Sequence, residues 1–179
     1  MAGRLHPIPS RRTEAQGGGG GKIVVAFKVD RGGAVTAGAV VLLGVIAMHG
    51  HFGAGVLLGC LTVASLLLHE CGHLLAARTL GVPVREVGLC LKGSYIRRAP
   101  GRTALDDAAI AMSGPTVNAL LAATLWDVPG VGHWLAIYNL VLMASNLAPL
   151  PGSDGRRIFA AFSRHAADQR VSAVIKKNN

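Results

Sequence analysis

Long apolar runs alternate with short polar connections along most of this chain. The longest run, Val56–Ala77, contains three polar ionisable side chains in its twenty-two residues, namely those of His69, Glu70 and His73. The core of a bilayer takes about 20 apolar residues of helix, so this run predicts a membrane-spanning helix. Three further apolar runs are interpreted in the same way: Ala34–Met48, a segment from Asp106 to Trp126, and Trp134–Leu147.

Two segments outside these runs are predicted to form β-strands. Lys22–Asp30 is rich in β-branched residues, and Val82–Arg98 alternates apolar and polar positions with Gly93 as a bend. The sequence therefore predicts an all-α multi-pass membrane protein with about four transmembrane helices and a small β-hairpin or edge strand at the cytosolic face. An exposed strand edge is suited to hold an extended peptide. A purely structural hairpin is the alternative that the sequence leaves open.

The length and composition indicate one membrane-type domain. The chain has 179 residues, of which 51% are hydrophobic and 15% charged. Residues 1–21 carry a glycine run and predict a disordered cytosolic tail. Residues 22–162 are interpreted as the core, and residues 163–179 as a cytosolic C-terminal tail with an amphipathic helix from about Ile158.

The net charge of +9 is a topology signal rather than a sign of nucleic-acid binding. The 18 Lys and Arg residues fall in three groups of six, which lie before Gly32, between Arg78 and Arg102, and from Arg156 onward. The intervening connections on the other side have none. The positive-inside rule then places both termini in the cytosol. Aromatic residues that would stack on bases are not interleaved with the basic ones, so we expect no nucleic-acid partner.

The segment His69-Glu70-Cys71-Gly72-His73 lies inside the longest apolar run. Positions i and i+4 share one face of a helix, so His69 and His73 can present two imidazoles to one metal ion. Glu70 lies beside such an ion and is suited to be a general base. The alternative, buried polar residues that are satisfied between helices, must explain three ionisable groups at membrane depth.

A catalytic zinc ion takes three protein ligands, so a third ligand is needed. Glu86 lies in the strand region, and Asp106 and Asp107 are interpreted as helix caps. Asp154 remains, in a proline-rich turn after the fourth apolar run. As a helix, that run of about 14 residues covers only about 21 Å of a bilayer core of about 30 Å. The turn is therefore expected to lie below the cytosolic surface of the membrane, at a depth similar to that of His69. A turn at the membrane surface is the alternative for Asp154.

At this point the chain resembles the site-2 protease family of intramembrane zinc metalloproteases. The resemblance rests on residues 69–73, on Gly-Pro-x-x-Asn at 114–118, and on Asn-x-x-Pro-x-Pro-x-x-Asp-Gly at 146–155. It implies a zinc ion held by His69, His73 and Asp154, with Glu70 as the general base. It also implies that four residues position an unwound substrate strand: Asn118, Asn146, Pro149 and Pro151. The chain departs from the family at Ser153, where a leucine is usual, and we expect this to alter packing more than ligation.

The expected function is therefore hydrolysis of a peptide bond within or near a transmembrane segment of a membrane-protein substrate, in a bacterial cell membrane. We expect the substrate to extend along the strand near Val87–Arg97 and the product to leave on the cytosolic side. The oligomeric state stays open. The main alternative is a non-catalytic membrane scaffold that binds transmembrane helices, and a metal transporter is a third. Glu70 argues against the scaffold, which has no need of a base.

Overall fold

The computed structural model describes residues 26–49, 51–91 and 93–178. The predicted tail at 1–21 and the start of the strand predicted from Lys22 lie outside these ranges. Within them the chain forms three strands and five helices, in the order β1 Ala26–Val29, α1 Arg31–Ala47, α2 Phe52–Thr79, β2 Val84–Cys90, β3 Gly93–Arg98, α3 Ala104–Leu125, α4 Val131–Leu147 and α5 Asp154–Asn178.

Helices α1 and α2 pack backbone against backbone at glycines. A Cβ atom on Gly44 would lie 2.5 Å from the carbonyl oxygen of Gly55, and one on Gly59 would lie 2.4 Å from Cα of Val41. Both distances are too short for a side chain. Small residues at helix crossings are how apolar helices approach each other closely when lipid removes the hydrophobic driving force.

The strands form one mixed sheet in the order β1-β2-β3. Strand β1 pairs with β2 in parallel, and β2 pairs with β3 in antiparallel orientation. The predicted hairpin is therefore present, but with a third strand on its other side. Parallel pairing requires a crossover, which α1 and α2 supply. Because β2 is the central strand, Val87 is not on an edge, and the expected substrate edge near Val87–Arg97 can only be that of β3.

The sheet packs beneath the C-terminal end of α2, close in sequence to the predicted metal motif. A buried apolar cluster joins the sheet, α2 and α3, and consists of Leu74, Ala77, Val82, Val84, Val87, Ile96 and Ile110. This cluster fixes the last turns of α2 against α3. It therefore holds in place the two helices that carry the candidate site.

The two acidic residues at the start of α3 have different roles. Asp106 forms a capping box with Thr103, as expected for a helix cap. Asp107 instead accepts hydrogen bonds from Arg98 on β3 at 2.7 Å and from Arg164 on α5 at 2.8 Å. The interpretation of both residues as caps therefore holds for Asp106 alone, and Asp107 is a buried link between three elements.

The first turn of helix α5 packs directly against the last turn of α4, with almost no space between the two backbones. A Cβ atom on Gly155 would lie 2.0 Å from the carbonyl oxygen of Leu147, so only glycine fits there. The helix starts at Asp154 rather than near Ile158, and it continues without a break past residue 162. The division between a core ending at 162 and a tail from 163 stays a prediction.

Among the described helices, α2 and α3 are long and apolar enough to cross a membrane, by length and composition. Helices α1 and α4 have 17 residues each. The prediction of four spans is therefore not confirmed. A mostly helical chain with a small sheet is what the structure shows.

Candidate metal centre

Three side chains from two distant parts of the chain converge in the interior. His69 and His73 lie one turn apart on α2, and Asp154 is the first residue of α5. Nε2 of His69 lies 3.1 Å from Nε2 of His73, and each of these nitrogens lies 3.2 Å from Oδ2 of Asp154. All three side chains are at most 5% exposed. The structure thus brings together the three residues that the sequence singles out as ligands.

The other nitrogen of each imidazole is already engaged. Nδ1 of His73 lies 2.6 Å from the backbone carbonyl oxygen of Ile110, and Nδ1 of His69 lies 2.5 Å from Oδ1 of Asn118. Both partners are carbonyl oxygens, which only accept hydrogen bonds, so each Nδ1 must carry the hydrogen. In the neutral rings each Nε2 then has a lone pair and no hydrogen.

This arrangement fits a metal ion. Two imidazole lone pairs and a carboxylate oxygen face one another with no hydrogen between them, which is unfavourable unless a cation lies among them. Zinc bonds of about 2.0–2.2 Å in a tetrahedron place neighbouring ligand atoms about 3.3–3.6 Å apart, close to the separations given above. His69, His73 and Asp154 could hold such an ion and leave a fourth position free.

Glu70 lies next to this group on α2 and is only 4% exposed. Its Oε2 is the one buried side-chain oxygen or nitrogen in the described part of the chain that has no hydrogen-bond partner. Leaving a buried carboxylate oxygen unpaired is costly, and such groups concentrate at sites where a reactant completes the hydrogen bonds. The carboxylate is therefore available to a water molecule or to a substrate.

The close contact between α2 and α3 depends on glycines. A Cβ atom on Gly114 would lie 2.4 Å from Nε2 of His73 and 2.7 Å from Cε1 of His69. A Cβ atom on Gly72 would lie 2.8 Å from the carbonyl oxygen of Ser113. The absence of side chains at these positions lets both imidazoles pack directly on the α3 backbone.

The turn before Asp154 is held by Ser153. Its hydroxyl group lies 2.5 Å from the carbonyl oxygen of Ala148 and 2.8 Å from that of Leu150, and it accepts a 3.3 Å hydrogen bond from the Arg156 amide. Ser153 therefore caps α5 and closes the turn, which fixes the direction in which the Asp154 side chain points. A leucine at this position could make none of these bonds.

Comparisons with known proteins found similarity in sequence and in fold. No protein-family model matches the chain. The chain is 35% identical over 126 residues to the protein named "Putative zinc metalloprotease Rip3" in two strains of Mycobacterium tuberculosis, and the match covers 61% of the chain. It covers 32% of those relatives, so the chain spans about a third of their length.

The fold is similar to that of the "Site-2 Protease from Methanocaldococcus jannaschii", with a TM-score of 0.63 and 23% identity. That match covers 77% of this chain and 67% of the solved chain. The chain has the site-2 protease fold, and its resemblance to that family is confirmed. At this identity the structural likeness shows the fold alone.

The residues expected to position a substrate in a site-2 protease fall into two groups. Asn118 is fully buried, and its side chain bonds His69 and Asn139, so it faces a candidate ligand; a contact of Asn118 with substrate stays a prediction. Asn146 is half-buried and donates to the carbonyl oxygen of Leu142. Pro149 and Pro151 are exposed in the turn before Asp154. These three stay predictions as substrate contacts.

Sequence reasoning missed Asn139 and the steric role of Gly114. Asn139 lies in the middle of α4, is fully buried, and bonds Asn118 at 2.8 Å and Ser65 at 3.2 Å. The signal was an amide in the middle of an apolar run, which is expensive in a membrane unless it is bonded. Nothing in the sequence showed that Gly114 contacts the imidazoles, because that contact depends on how α2 and α3 cross.

Proposed function

We propose that this chain is an intramembrane zinc metalloprotease, which hydrolyses a peptide bond within or near a transmembrane segment of a membrane-protein substrate. The observation that carries this proposal is the convergence of three lone-pair donors, from His69, His73 and Asp154, in the interior. Beside them on α2 is the buried, unpaired carboxylate of Glu70. A scaffold that only binds helices has no use for this combination.

A zinc ion held by His69, His73 and Asp154 would be a Lewis acid, which would polarise a peptide carbonyl and make water more acidic. Glu70 accepts one proton from the attacking water, whose oxygen forms the new bond to the carbonyl carbon. The carbon–nitrogen bond then breaks, and Glu70 returns the proton to the leaving amine. The products are a carboxylic acid and an amine, and Glu70 ends as it began.

Exposed apolar surfaces on the helices support a membrane location for the site. Large apolar side chains on the outside of four helices are 60–65% exposed, and they include Leu42, Leu43, Ile46, Leu75, Leu120 and Val141. Water does not favour such a surface, and lipid does. We propose four spans, with both termini in the cytosol as the basic groups indicate. At 17 residues, α1 and α4 cover about 25 Å of a core of about 30 Å, so they fit a locally thinned bilayer.

A substrate helix must unwind before it can be cut, because a helical peptide bond is shielded by its own hydrogen bonds. The outer edge of β3 offers backbone groups that can bind such an extended segment. A cavity of about 450 Å³ lies between β3 and α5, and its lining includes Ile96, Arg97, Arg98, Arg157, Ala160 and Arg164. We propose that the substrate lies along β3, beside this cavity, and that product leaves toward the cytosol.

The test uses the purified protein in lipid vesicles with a single-span test protein whose helix carries a Gly-Pro pair and a fluorescent tag on the cytosolic side. We expect the wild type to release the tag and Glu70→Gln to retain zinc but release none. Chelation of zinc should stop release, and added zinc should restore it. Release by Glu70→Gln at the wild-type rate would contradict the proposal.

A further inference from the structure

A chain of hydrogen bonds runs from the backbone of α4 to the candidate ligand His69. Nδ2 of Asn139 donates to the carbonyl oxygen of Leu135 at 2.8 Å. Nδ2 of Asn118 donates to Oδ1 of Asn139 at 2.8 Å, and Oδ1 of Asn118 faces Nδ1 of His69 at 2.5 Å. Both asparagines are fully buried, so no solvent competes for these bonds.

The donor and acceptor of every hydrogen bond in this series follow from the bond between Asn139 and the Leu135 carbonyl group. The Leu135 carbonyl can only accept, so the Asn139 amide nitrogen must face it and the Asn139 oxygen must face Asn118. That oxygen accepts from the Asn118 nitrogen, which leaves the Asn118 oxygen toward His69. An amide oxygen cannot donate, so Nδ1 of His69 carries the hydrogen and Nε2 keeps its lone pair.

His73 provides an internal comparison, because its Nδ1 meets the backbone carbonyl of Ile110 directly at 2.6 Å. No side-chain substitution can reverse that carbonyl. The tautomer of His69, in contrast, depends on an amide that can rotate by half a turn and present its NH₂ group instead. A rotated Asn118 would favour hydrogen on Nε2 of His69, where it would block a metal.

We infer that Asn139 is a positioning residue of the metal centre: through Asn118 it sets which nitrogen of His69 is free to bind the metal. This inference rests on the proposed function and deepens it, because it adds a helix, α4, that contributes no ligand. Partners of metal-binding histidines hold the ring's tautomer and orientation, and their loss typically weakens metal binding about 10- to 100-fold.

A simpler role for Asn139 is to join helices, since it also donates to Ser65 of α2 at 3.2 Å. Loss of a helix-joining bond would lower stability without changing the tautomer of His69. The two roles are separable by substitution. Ser65→Ala removes a bond of Asn139 but leaves the Leu135 carbonyl to orient it. Asn139→Asp keeps an acceptor oxygen toward Asn118, and Asn139→Leu keeps the approximate size but removes the orienting group.

The first measurement needs no metal and no substrate. Metal-free protein labelled with ¹⁵N-histidine is examined by NMR at a pH above the titration of histidine, with His69→Gln used to assign the His69 signals. We expect hydrogen on Nδ1 of His69 in the wild type, in Ser65→Ala and in Asn139→Asp, and a mixed population in Asn139→Leu. His73 should keep hydrogen on Nδ1 in all four. Hydrogen on Nε2 of His69 in the wild type would overturn the inference without any variant.

The second measurement is zinc affinity by competition with a chelator, alongside the thermal midpoint of the metal-free protein. We expect about 10- to 100-fold weaker binding in Asn139→Leu and a smaller change in Ser65→Ala and Asn139→Asp. Equal weakening in Ser65→Ala and Asn139→Leu would reduce Asn139 to a helix-joining role and overturn the inference. A wild type that binds no zinc would reject the proposed function, while the tautomer result would still decide the role of Asn139.

Discussion

The imidazole of His73 packs on Gly114 so closely that no side chain fits between α2 and α3 at that point. A Cβ atom on Gly114 would lie 2.4 Å from Nε2 of His73, the nitrogen that faces Asp154. The distance between the two helices is therefore matched to the candidate metal centre. Packing and ligand geometry cannot be changed independently here.

Gly114→Ala should therefore displace the His73 ring and weaken zinc binding by at least about 10-fold, because a misplaced ligand loses bond geometry. The matched control is Gly38→Ala on α1, where nothing lies within 4 Å of the added methyl group. That control should be neutral or stabilising by up to about 1 kcal/mol, as alanine favours a helix over glycine. Zinc content after dialysis measures both. Full zinc retention in a folded Gly114→Ala would contradict the packing argument.

Asp107 connects the start of α3 with β3 and α5 through Arg98 and Arg164. Asp107→Asn should lower the free energy of unfolding by about 1–3 kcal/mol, because Arg98 is left buried with a weaker partner. It should also weaken zinc binding, since α5 carries Asp154. Asp106→Asn is the control, because it affects only the helix cap. The thermal midpoint and the zinc affinity are measured for both variants. Equal values for Asp107→Asn and Asp106→Asn would contradict the proposed role of Asp107.

The pair Glu86 and Tyr95 should make the sheet sensitive to acid. The hydrogen bond from the Tyr95 hydroxyl group, together with Lys28, holds the pKa of Glu86 below its ordinary value of 4.5. The pair's contribution to stability is therefore present above that value and lost as the pH falls through the lowered pKa. The same bond raises the pKa of Tyr95 above 10.0, so alkaline pH breaks the pair only above that value.

Tyr95→Phe should remove this bond and let Glu86 protonate at a higher pH, so the thermal midpoint should begin to fall earlier in an acid titration. Tyr138→Phe makes the same chemical change on α4, at a hydroxyl without a hydrogen-bond partner among the described side chains. That control should follow the wild-type profile. If Tyr95→Phe kept the wild-type dependence of the thermal midpoint on acid pH, protonation of Glu86 would not be the cause of the loss of stability.

The sequence was sufficient to predict the parts of the fold that follow local rules. The spacing of His69 and His73 places them on one helix face wherever the helix lies. The capping role of Asp106 and the strands β2 and β3 are likewise local features. Each of these features depends on residues close in sequence, so no tertiary information was needed. The choice of Asp154, which is distant in sequence from both histidines, came from elimination of the other acidic residues, and its role as a metal ligand stays a prediction.

The features that escaped prediction all depend on distant contacts. The parallel pairing of β1 with β2 spans two helices, and no local pattern reports it. Asp107 looks like a cap until Arg164 is found beside it. The contacts of Asn118 with Asn139 and His69 could not be predicted either, because these neighbours come from other helices. Helix crossings decide these roles, and they are set by the packing of the whole chain.

The most direct test of the account is the amount of zinc bound per chain in detergent-purified protein, measured by mass spectrometry of the metal. We expect about one zinc in the wild type and in Glu70→Gln, and loss or strong weakening in Asp154→Ala, because three protein ligands define a catalytic zinc site. Circular dichroism should show that all three proteins are folded. No zinc in a folded wild type, or zinc that Asp154→Ala leaves unaffected, would contradict the central claim.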